Sequence, residues 1–339
     1  MYTAIDLFSG CGGLSTGLEQ AGFSVIAAVE IDKIASYTYK LNHQNTKVFE
    51  TNIRELKTEA IKELLKGKPL NLLAGCPPCQ GFSSMRKLNR KDYVKDSRNT
   101  LIGQYYRFVK DLQPQTIMLE NVPGLVDYYL FKQIVRKLEH DGYFIRYKVV
   151  NVADYSVPQR RKRLIMIGSR LGVIDTALPS RIKLTVRDAL GRKEIVDDPV
   201  DKIYPHHIER IQNKISLIPQ NGGNMSDLPE QYQLRCHKQN NIGFNDVYGR
   251  LKWDDVSSTI TGGCLNPSKG RFLHPEENRC ISAREAALLQ TFPPKYIFPL
   301  DVPKTKLALM IGNALPPEFS RIQGENLKLH LQQHRITNT

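Results

Sequence analysis

No apolar run in this 339-residue chain approaches the roughly 20 residues that a membrane-crossing helix needs. No membrane contact is therefore expected. The chain begins directly with the strand-like run Thr3-Ala4-Ile5-Asp6-Leu7-Phe8. A charged segment followed by an apolar core is absent, so no secretory leader is read and the expected compartment is the cytoplasm. Cysteine is sparse, with six residues at 11, 76, 79, 236, 264 and 280. Only Cys76 and Cys79 make a close pair; two such pairs would suggest zinc and one does not, so no metal is expected. A chain of this size needs no disulfide framework, and reduced thiols are expected. Repeats and low-complexity segments are also lacking.

Acidic side chains are outnumbered, 34 against 48 basic ones, leaving a formal charge of +14. A surplus of that size suits a polyanion, with nucleic acid the leading candidate, although a merely basic solvated surface is common. The placement of the charges favours the first reading. Arg86, Lys87, Arg90, Lys91, Lys95 and Arg98 crowd one stretch, and Arg160, Arg161, Lys162, Arg163 and Arg170 another. Hydrophobic residues make up 41%, enough for a sizeable core.

In the first half, β-branched or apolar runs alternate with helix-like stretches. Strands are expected at 3–8, 24–31, 70–75, 116–121, 144–150 and 163–168. Helices are expected at 12–21, stopped by Gly22, and at 54–66 and 128–141. Such alternation implies an α/β fold, a mostly parallel sheet with helices on both faces, whose ligands sit at the carboxyl ends of the strands. After about residue 180 the pattern breaks into polar, Pro- and Gly-rich segments such as Pro219-Gln220-Asn221-Gly222-Gly223-Asn224. Residues 185–255 hold ten Lys/Arg and eleven Asp/Glu. This near-neutral stretch reads as a smaller domain of irregular or β structure. Helical patterning returns at 282–290, where Ser282 and Glu285 match a capping box, and again from Pro317. The expected division is 1–184 for a catalytic and cofactor domain, 185–278 for a small recognition domain, and 279–339 for a hinge helix and return.

Four groups of residues fall at strand ends. Asp6-Leu7-Phe8-Ser9-Gly10-Cys11-Gly12-Gly13 joins the first strand to the first helix, where glycines let a ligand approach the backbone. Glu30 ends the second strand, a position from which an acid takes ribose hydroxyls. The glycine spacing is not the full dinucleotide fingerprint, so an adenosine-type cofactor without phosphates fits better than a diphosphate. A purely structural tight turn is the plain alternative. Gly75-Cys76-Pro77-Pro78-Cys79-Gln80 follows the apolar run 70–74; two prolines stiffen the loop and aim Cys79. Cys79 is then a candidate nucleophile, against a buried structural cysteine or a redox Cys-x-x-Cys. Glu120 ends another strand and is a general-acid candidate if burial raises its pKa. Gln159-Arg160-Arg161-Lys162-Arg163 runs into a buried strand, which would turn some arginines inward.

Taken together, these blocks resemble the C5-cytosine DNA methyltransferase family from about residue 3 to 320. The resemblance rests on DLFSGCGG, PPCQGFS, ENVPG, QRRKR, SAREAALLQTFP and IGNALPP in that order. It implies a Rossmann-like class I methyltransferase fold with a target-recognition domain. Cys79 would be the nucleophile and Glu120 the acid at the pyrimidine edge. Arg161 and Arg163 would hold the base oxygen, a neighbouring phosphate or the closed loop. Phe8, Gly10, Gly12, Leu14, Glu30, Ile31, Asn52, Ile53, Pro77, Leu101, Asn313 and Ala314 would line the S-adenosylmethionine pocket. Asn52 departs from the aspartate usual there, though its carbonyl can still accept from the adenine amine. Ile31 replaces a frequent aromatic, which weakens stacking on adenine.

The implied reaction is methyl transfer from S-adenosylmethionine to C5 of a flipped-out cytosine in a specific duplex sequence, leaving S-adenosylhomocysteine. The implied enzyme is a monomer on double-stranded DNA, associated with the nucleoid, with a cognate restriction endonuclease or as an orphan modification enzyme. Candidate base readers are Arg235, Lys238, Gln239 and Asn240. The same chemistry on tRNA is the nearest rival; its Cys-Phe-Thr signature is absent from the recognition stretch.

Overall fold

The computed structural model describes residues 2–78, 100–191, 198–233 and 246–336. Cys79, the basic stretch 86–98 and the base-reader candidates Arg235, Lys238, Gln239 and Asn240 lie outside the described residues. The chain forms two compact units. The first comprises Met1–Val152, Lys162–Pro179 and Leu315–Thr339, and the second Ala153–Arg161 and Ser180–Ala314. The division expected from sequence differs from these units in three stretches: 153–161, 180–184 and 279–314 all belong to the second unit.

In chain order the first unit contains β1 (Tyr2–Leu7), α1 (Gly13–Gln20), β2 (Phe23–Glu30), α2 (Lys33–Asn42), β3 (Lys47–Glu50), α3 (Glu59–Leu65), β4 (Leu72–Gly75), α4 (Leu101–Leu112), β5 (Thr116–Asn121), α5 (Tyr129–His140), β6 (Phe144–Asn151) and β7 (Lys162–Ser169). The second holds α6 (Val186–Leu190), α7 (Glu209–Leu217), α8 (Ala283–Leu289) and α9 (Lys304–Asn313); α10 (Pro317–Ile336) returns to the first.

The seven strands run β3-β2-β1-β4-β5-β7-β6. Pairings from β3 to β5 are parallel, and β7 is antiparallel to both β5 and β6. The chain leaves β1 toward β2 and β3, then restarts at β4 on the other side. That reversal opens a crevice at the carboxyl ends of β1 and β4. Leu7 pairs with Gly75 there, and the Cys76 N–H donates to the Leu7 carbonyl (3.2 Å). The turn after β1 and the Cys76-Pro77-Pro78 segment thus start side by side.

Strand alternation explains the two faces. Ile5 and Leu7 join a core with Leu73, Ile117 and Leu119 of the sheet and Ile61, Tyr105, Phe108, Phe131 and Leu138 of α3, α4 and α5. Asp6 points the other way, to Ser15 of α1. On that side α1 meets α10 so closely that a Cβ on Gly17 would fall 2.2 Å from the Pro317 carbonyl oxygen. β5 is buried along its whole length, as a central strand must be.

The described residues of the second unit carry short helices, 3-10 turns and isolated bridges such as Arg250–Leu273, but no strand. Of the irregular or β structure expected there, the described residues show the irregular form. The capping box at α8 is present: Ser282 Oγ accepts from Glu285 N (3.0 Å) and Glu285 Oε2 from Ser282 N (2.7 Å). Ala283, Ala286, Ala287 and Leu289 are fully buried, and the helix packs against α6 and α9. Among the described residues no helix is long and apolar enough to cross a membrane.

Candidate active site

The turn after β1 is built from unusual backbone. Phe8, Gly10 and Gly12 have φ of 63°, 54° and 98°. A bulky residue in the left-handed region costs of order 1–3 kcal/mol, so the Phe8 conformation is held by its surroundings. A Cβ on Gly10 would meet nothing within 4 Å; the space above the turn is open. Glu30 ties the turn to the end of β2. Its Oε2 accepts from Gly10 N (2.7 Å), and Oε1 from Ile31 N (2.9 Å) and Asp32 N (2.7 Å). Burial, opposed by these bonds, pushes its carboxyl up from the usual range. A carboxylate offers about four lone-pair sites, so three backbone donors still leave room for a ligand hydroxyl.

The other first-unit candidates are arranged around that turn. Ile31 is 64% exposed, an apolar side chain held out beside Glu30. Asp32 instead caps α2 through Ile34 N and Ala35 N. Asn52 Oδ1 accepts from Arg54 N (3.1 Å), leaving a second lone pair for an outside donor. Ile53, Leu14 and Leu101 are buried. Open space, an oriented carboxylate and an exposed apolar side chain fit an adenosine-type ligand.

At the ends of β5 and β7 lies a charged pair. Register sets Asn121 opposite Leu164, which brings Arg163 to the end of β5. Its Nε stands 2.7 Å from Glu120 Oε1, with side-chain exposures of 15% and 10%. Burial lowers the Arg163 pKa while Glu120 opposes the shift; an arginine starting above 12 stays charged regardless. Cys76 shares the cluster and hydrogen-bonds Glu120. Burial first, then the Glu120 and Asp6 charges, push its thiol well above the ordinary range.

Two side chains that the sequence reading passed over belong here. Asn121 Nδ2 donates to the Pro77 carbonyl (2.7 Å), and its Oδ1 accepts from Val122 N (2.8 Å). The β5 end is thereby fastened to the loop two residues before Cys79. A buried amide beside the acid was the available sign, because such a group must find partners. Asp6, fully buried, is the other. Tyr39 Oη donates to Ser15 Oγ and Ser15 Oγ to Asp6 Oδ2, both 2.7 Å. Asp6 Oδ1 has no partner among the described residues. Burial raises the Asp6 pKa to about 7.

Three candidates lie in the second unit. Arg161, 4% exposed, was expected at a base oxygen, a phosphate or a closing loop. Its guanidinium instead donates to the carbonyls of Ile260 (2.9 Å) and Gly312 (3.0 Å). A buried guanidinium must find acceptors, and here backbone supplies them. Gln159 joins this brace, accepting from Ile260 N (2.9 Å) and donating to Gln290 Oε1 (2.8 Å). Asn313 ends α9 exposed, and Ala314 follows it half-buried. Among the described residues no group of three or more His, Cys, Asp or Glu could hold a metal ion.

A mostly parallel sheet that reverses its strand order beside β1 and ends in an antiparallel pair is the fold of a Rossmann-like class I methyltransferase. Residues 2–328 match the family model for C-5 cytosine-specific DNA methylase. The chain is 34% identical to the type II methylase M.HgiDII of Herpetosiphon aurantiacus, over 97% of this chain and 95% of that protein. It is 32% identical to the type II methyltransferase M1.HphI of Haemophilus parahaemolyticus, over 95% and 86%. A prophage-encoded DNA modification methyltransferase structure from E. coli superposes with a TM-score of 0.71 at 28% identity, covering 98% of this chain and all of that one. A Spodoptera frugiperda DNMT2 structure, at 18% identity and TM-score 0.65 over 97% of this chain and all of that one, shares the fold. The chain belongs to the C-5 cytosine-specific DNA methylase family, whose methyl donor is S-adenosylmethionine.

Proposed function

We propose that this enzyme methylates C5 of a cytosine flipped out of a specific duplex sequence, through a transient bond between Cys79 and C6. The observation that carries the reading is the Glu120–Arg163 pair at 2.7 Å, held beside the Pro77-Pro78 approach to Cys79. Cytosine C5 is too weak a nucleophile to react unaided. Addition of the Cys79 thiolate to C6 makes C5 enamine-like, splitting one hard step into easier ones. Glu120, once it takes up a proton as the base enters, donates to the N3 edge as electron density moves there. Arg163 and Cys76 keep its carboxyl in place. Loss of the C5 proton and expulsion of Cys79 release the methylated base. S-adenosylmethionine, when bound, supplies the electrophilic methyl group. Phe8, Gly10, Glu30 and Ile31 would hold its adenosine part.

The type II relatives support a place in a restriction-modification pair, with an endonuclease cutting the same unmethylated site. The enzyme would act as a monomer on DNA in the cytoplasm, with the +14 charge supporting phosphate contact. Methyl-labelled S-adenosylmethionine, mixed duplex DNA and tRNA provide the test, with label mapped by sequence. Label is expected at one cytosine-containing duplex site. Label on tRNA alone, or nowhere, overturns the reading. Cys79→Ser should bind S-adenosylhomocysteine yet transfer nothing, and residual transfer would remove Cys79 from the nucleophile's role.

A further inference from the structure

Behind the turn that follows β1 runs a chain of three polar side chains drawn from three elements. Tyr39 of α2 donates from Oη to Ser15 Oγ of α1, and Ser15 Oγ donates to Asp6 Oδ2 of β1, both at 2.7 Å. All three residues are fully buried. The Tyr39 hydroxyl also meets Thr46, whose own hydroxyl donates to the Val25 carbonyl of β2 (2.8 Å). The His43 ring packs on the Tyr39 ring, with centroids 4.4 Å apart. Burial, then the Asp6 charge, push the Tyr39 hydroxyl well above its usual range. It keeps its proton, and the chain of donors runs one way, from α2 to β1. Apolar side chains would fill this interface without desolvating two hydroxyls and a carboxyl, so packing alone does not call for the chain.

Its ends decide what it can hold. Asp6 lies before the turn and Ser15 after it, so their bond closes the segment that carries Phe8, Gly10 and Gly12 at positive φ. Thr16 fixes the same segment from the helix, donating from Oγ1 to the Gly12 carbonyl (2.8 Å). Tyr39 lies on the helix that follows Glu30 and Ile31. The chain therefore ties together the two segments, 8–12 and 30–31, that form the proposed adenosine cradle. With no exposed surface, none of its three members can touch a ligand. Within the turn, Ser9 N donates to the Val29 carbonyl (3.0 Å), Gly10 N to Glu30 Oε2 (2.7 Å) and Gly12 N to the Ser9 carbonyl (3.0 Å). A turn with this much left-handed backbone persists only where its surroundings over-determine it. Only the fraction of molecules that hold the competent turn can bind a ligand there.

We propose that Asp6, Ser15 and Tyr39 are positioning residues for the methyl donor, holding the turn and Glu30 in the binding-competent arrangement before S-adenosylmethionine arrives. The proposal rests on the reading of this turn as the adenosine site. The chain sets cofactor affinity rather than the chemical step, because a bound ligand itself orders the turn.

The experiment uses the full chain. Ser15→Ala breaks both links at once. Its Kd for S-adenosylhomocysteine and its KM for S-adenosylmethionine should rise about tenfold, with kcat at saturating cofactor within about twofold. Amide exchange at Ser9, Gly10 and Gly12 should quicken by about the same factor in the ligand-free chain. It should return to the wild-type rate once S-adenosylhomocysteine is bound. Tyr39→Phe removes one hydroxyl and keeps the ring, so the same pattern is expected at about threefold. It takes the place of Ser15→Ala if that variant does not fold. A lower urea midpoint with Kd and turn exchange unchanged would make the chain structural only and overturn the proposal. A fall in kcat at saturating cofactor with Kd unchanged would overturn it as well. Glu30→Ala separates the proposal from the reading beneath it. If Glu30→Ala leaves the S-adenosylhomocysteine Kd unchanged, the adenosine site lies elsewhere and both fall. If Glu30→Ala weakens binding and Ser15→Ala does not, the site stands and the proposal alone falls.

Discussion

Arg163 in the first unit and Arg250 in the second are both withdrawn from solvent, yet their environments differ. Arg163 faces one carboxylate, Glu120. Arg250 faces none, spreading five bonds over four carbonyls and an amide oxygen. Removing a guanidinium from water is costly in either place. In the first the cost is offset by an ion pair with Glu120 near the end of β5. In the second it is offset by closing loops that have no sheet to order them. The strand-end arginine holds an acid, and the loop-bound one replaces a ladder of strand hydrogen bonds.

Substitutions can break this contrast. The largest effect is expected for Glu120→Gln, which removes the acid but keeps the shape. Turnover should fall by about 10²–10⁴ with S-adenosylhomocysteine affinity within about threefold; rates near wild type would show that the pair is only structural. Next comes Arg250→Met, which leaves several buried acceptors unpaired. We expect about 3 kcal/mol or more of destabilisation by urea unfolding. A stability unchanged within error would deny the brace.

A smaller effect follows from Asp6. Its folded pKa is raised from 3.8 to about 7, so between those values the folded chain binds more protons than the unfolded one. Its contribution is therefore fully present below about pH 4 and is lost as pH rises through about 7, at no more than about 1.4 kcal/mol per pH unit. Asp6→Asn should flatten that part of the stability profile. An unaltered slope would mean that Asp6 is ionised throughout. The least change is expected from Cys76→Ala, which removes a thiol donor from Glu120 while Arg163 remains. Activity should stay within about threefold. Loss of transfer in a folded variant would make Cys76 as necessary to the acid as Arg163.

Long, periodic elements were legible. Six of the seven strands fall within about two residues of the expected ranges. β3 escaped because Lys47-Val48-Phe49-Glu50 offers only two apolar residues between charges. The helix expected at 54–66 shortened to α3 (Glu59–Leu65), with Asn52 and Ile53 left in the preceding turn. After residue 180 the expected irregular or β structure takes the irregular form among the described residues, because Pro and Gly interrupt the runs a strand ladder needs. Glu30 and Glu120 were readable from their places at strand ends. Asn121 and Asp6 were not, because Asn121 bonds Pro77, distant in sequence, and Asp6 bonds Ser15, which Tyr39 in turn holds.

The sequence by itself determined which residues are candidates for chemistry and that Glu30 and Glu120 would stand near strand ends. Strand alternation, two prolines before Cys79 and the order of the blocks suffice for that. Only the tertiary structure separated the surroundings of Arg161 from those of Arg163. They are two positions apart in one basic run, and no periodicity separates them. Arg161 precedes the first residue of β7, so the ladder does not orient it, and it turns to the carbonyls of Ile260 and Gly312. Arg163 lies within β7, where antiparallel pairing with β5 delivers it to Glu120.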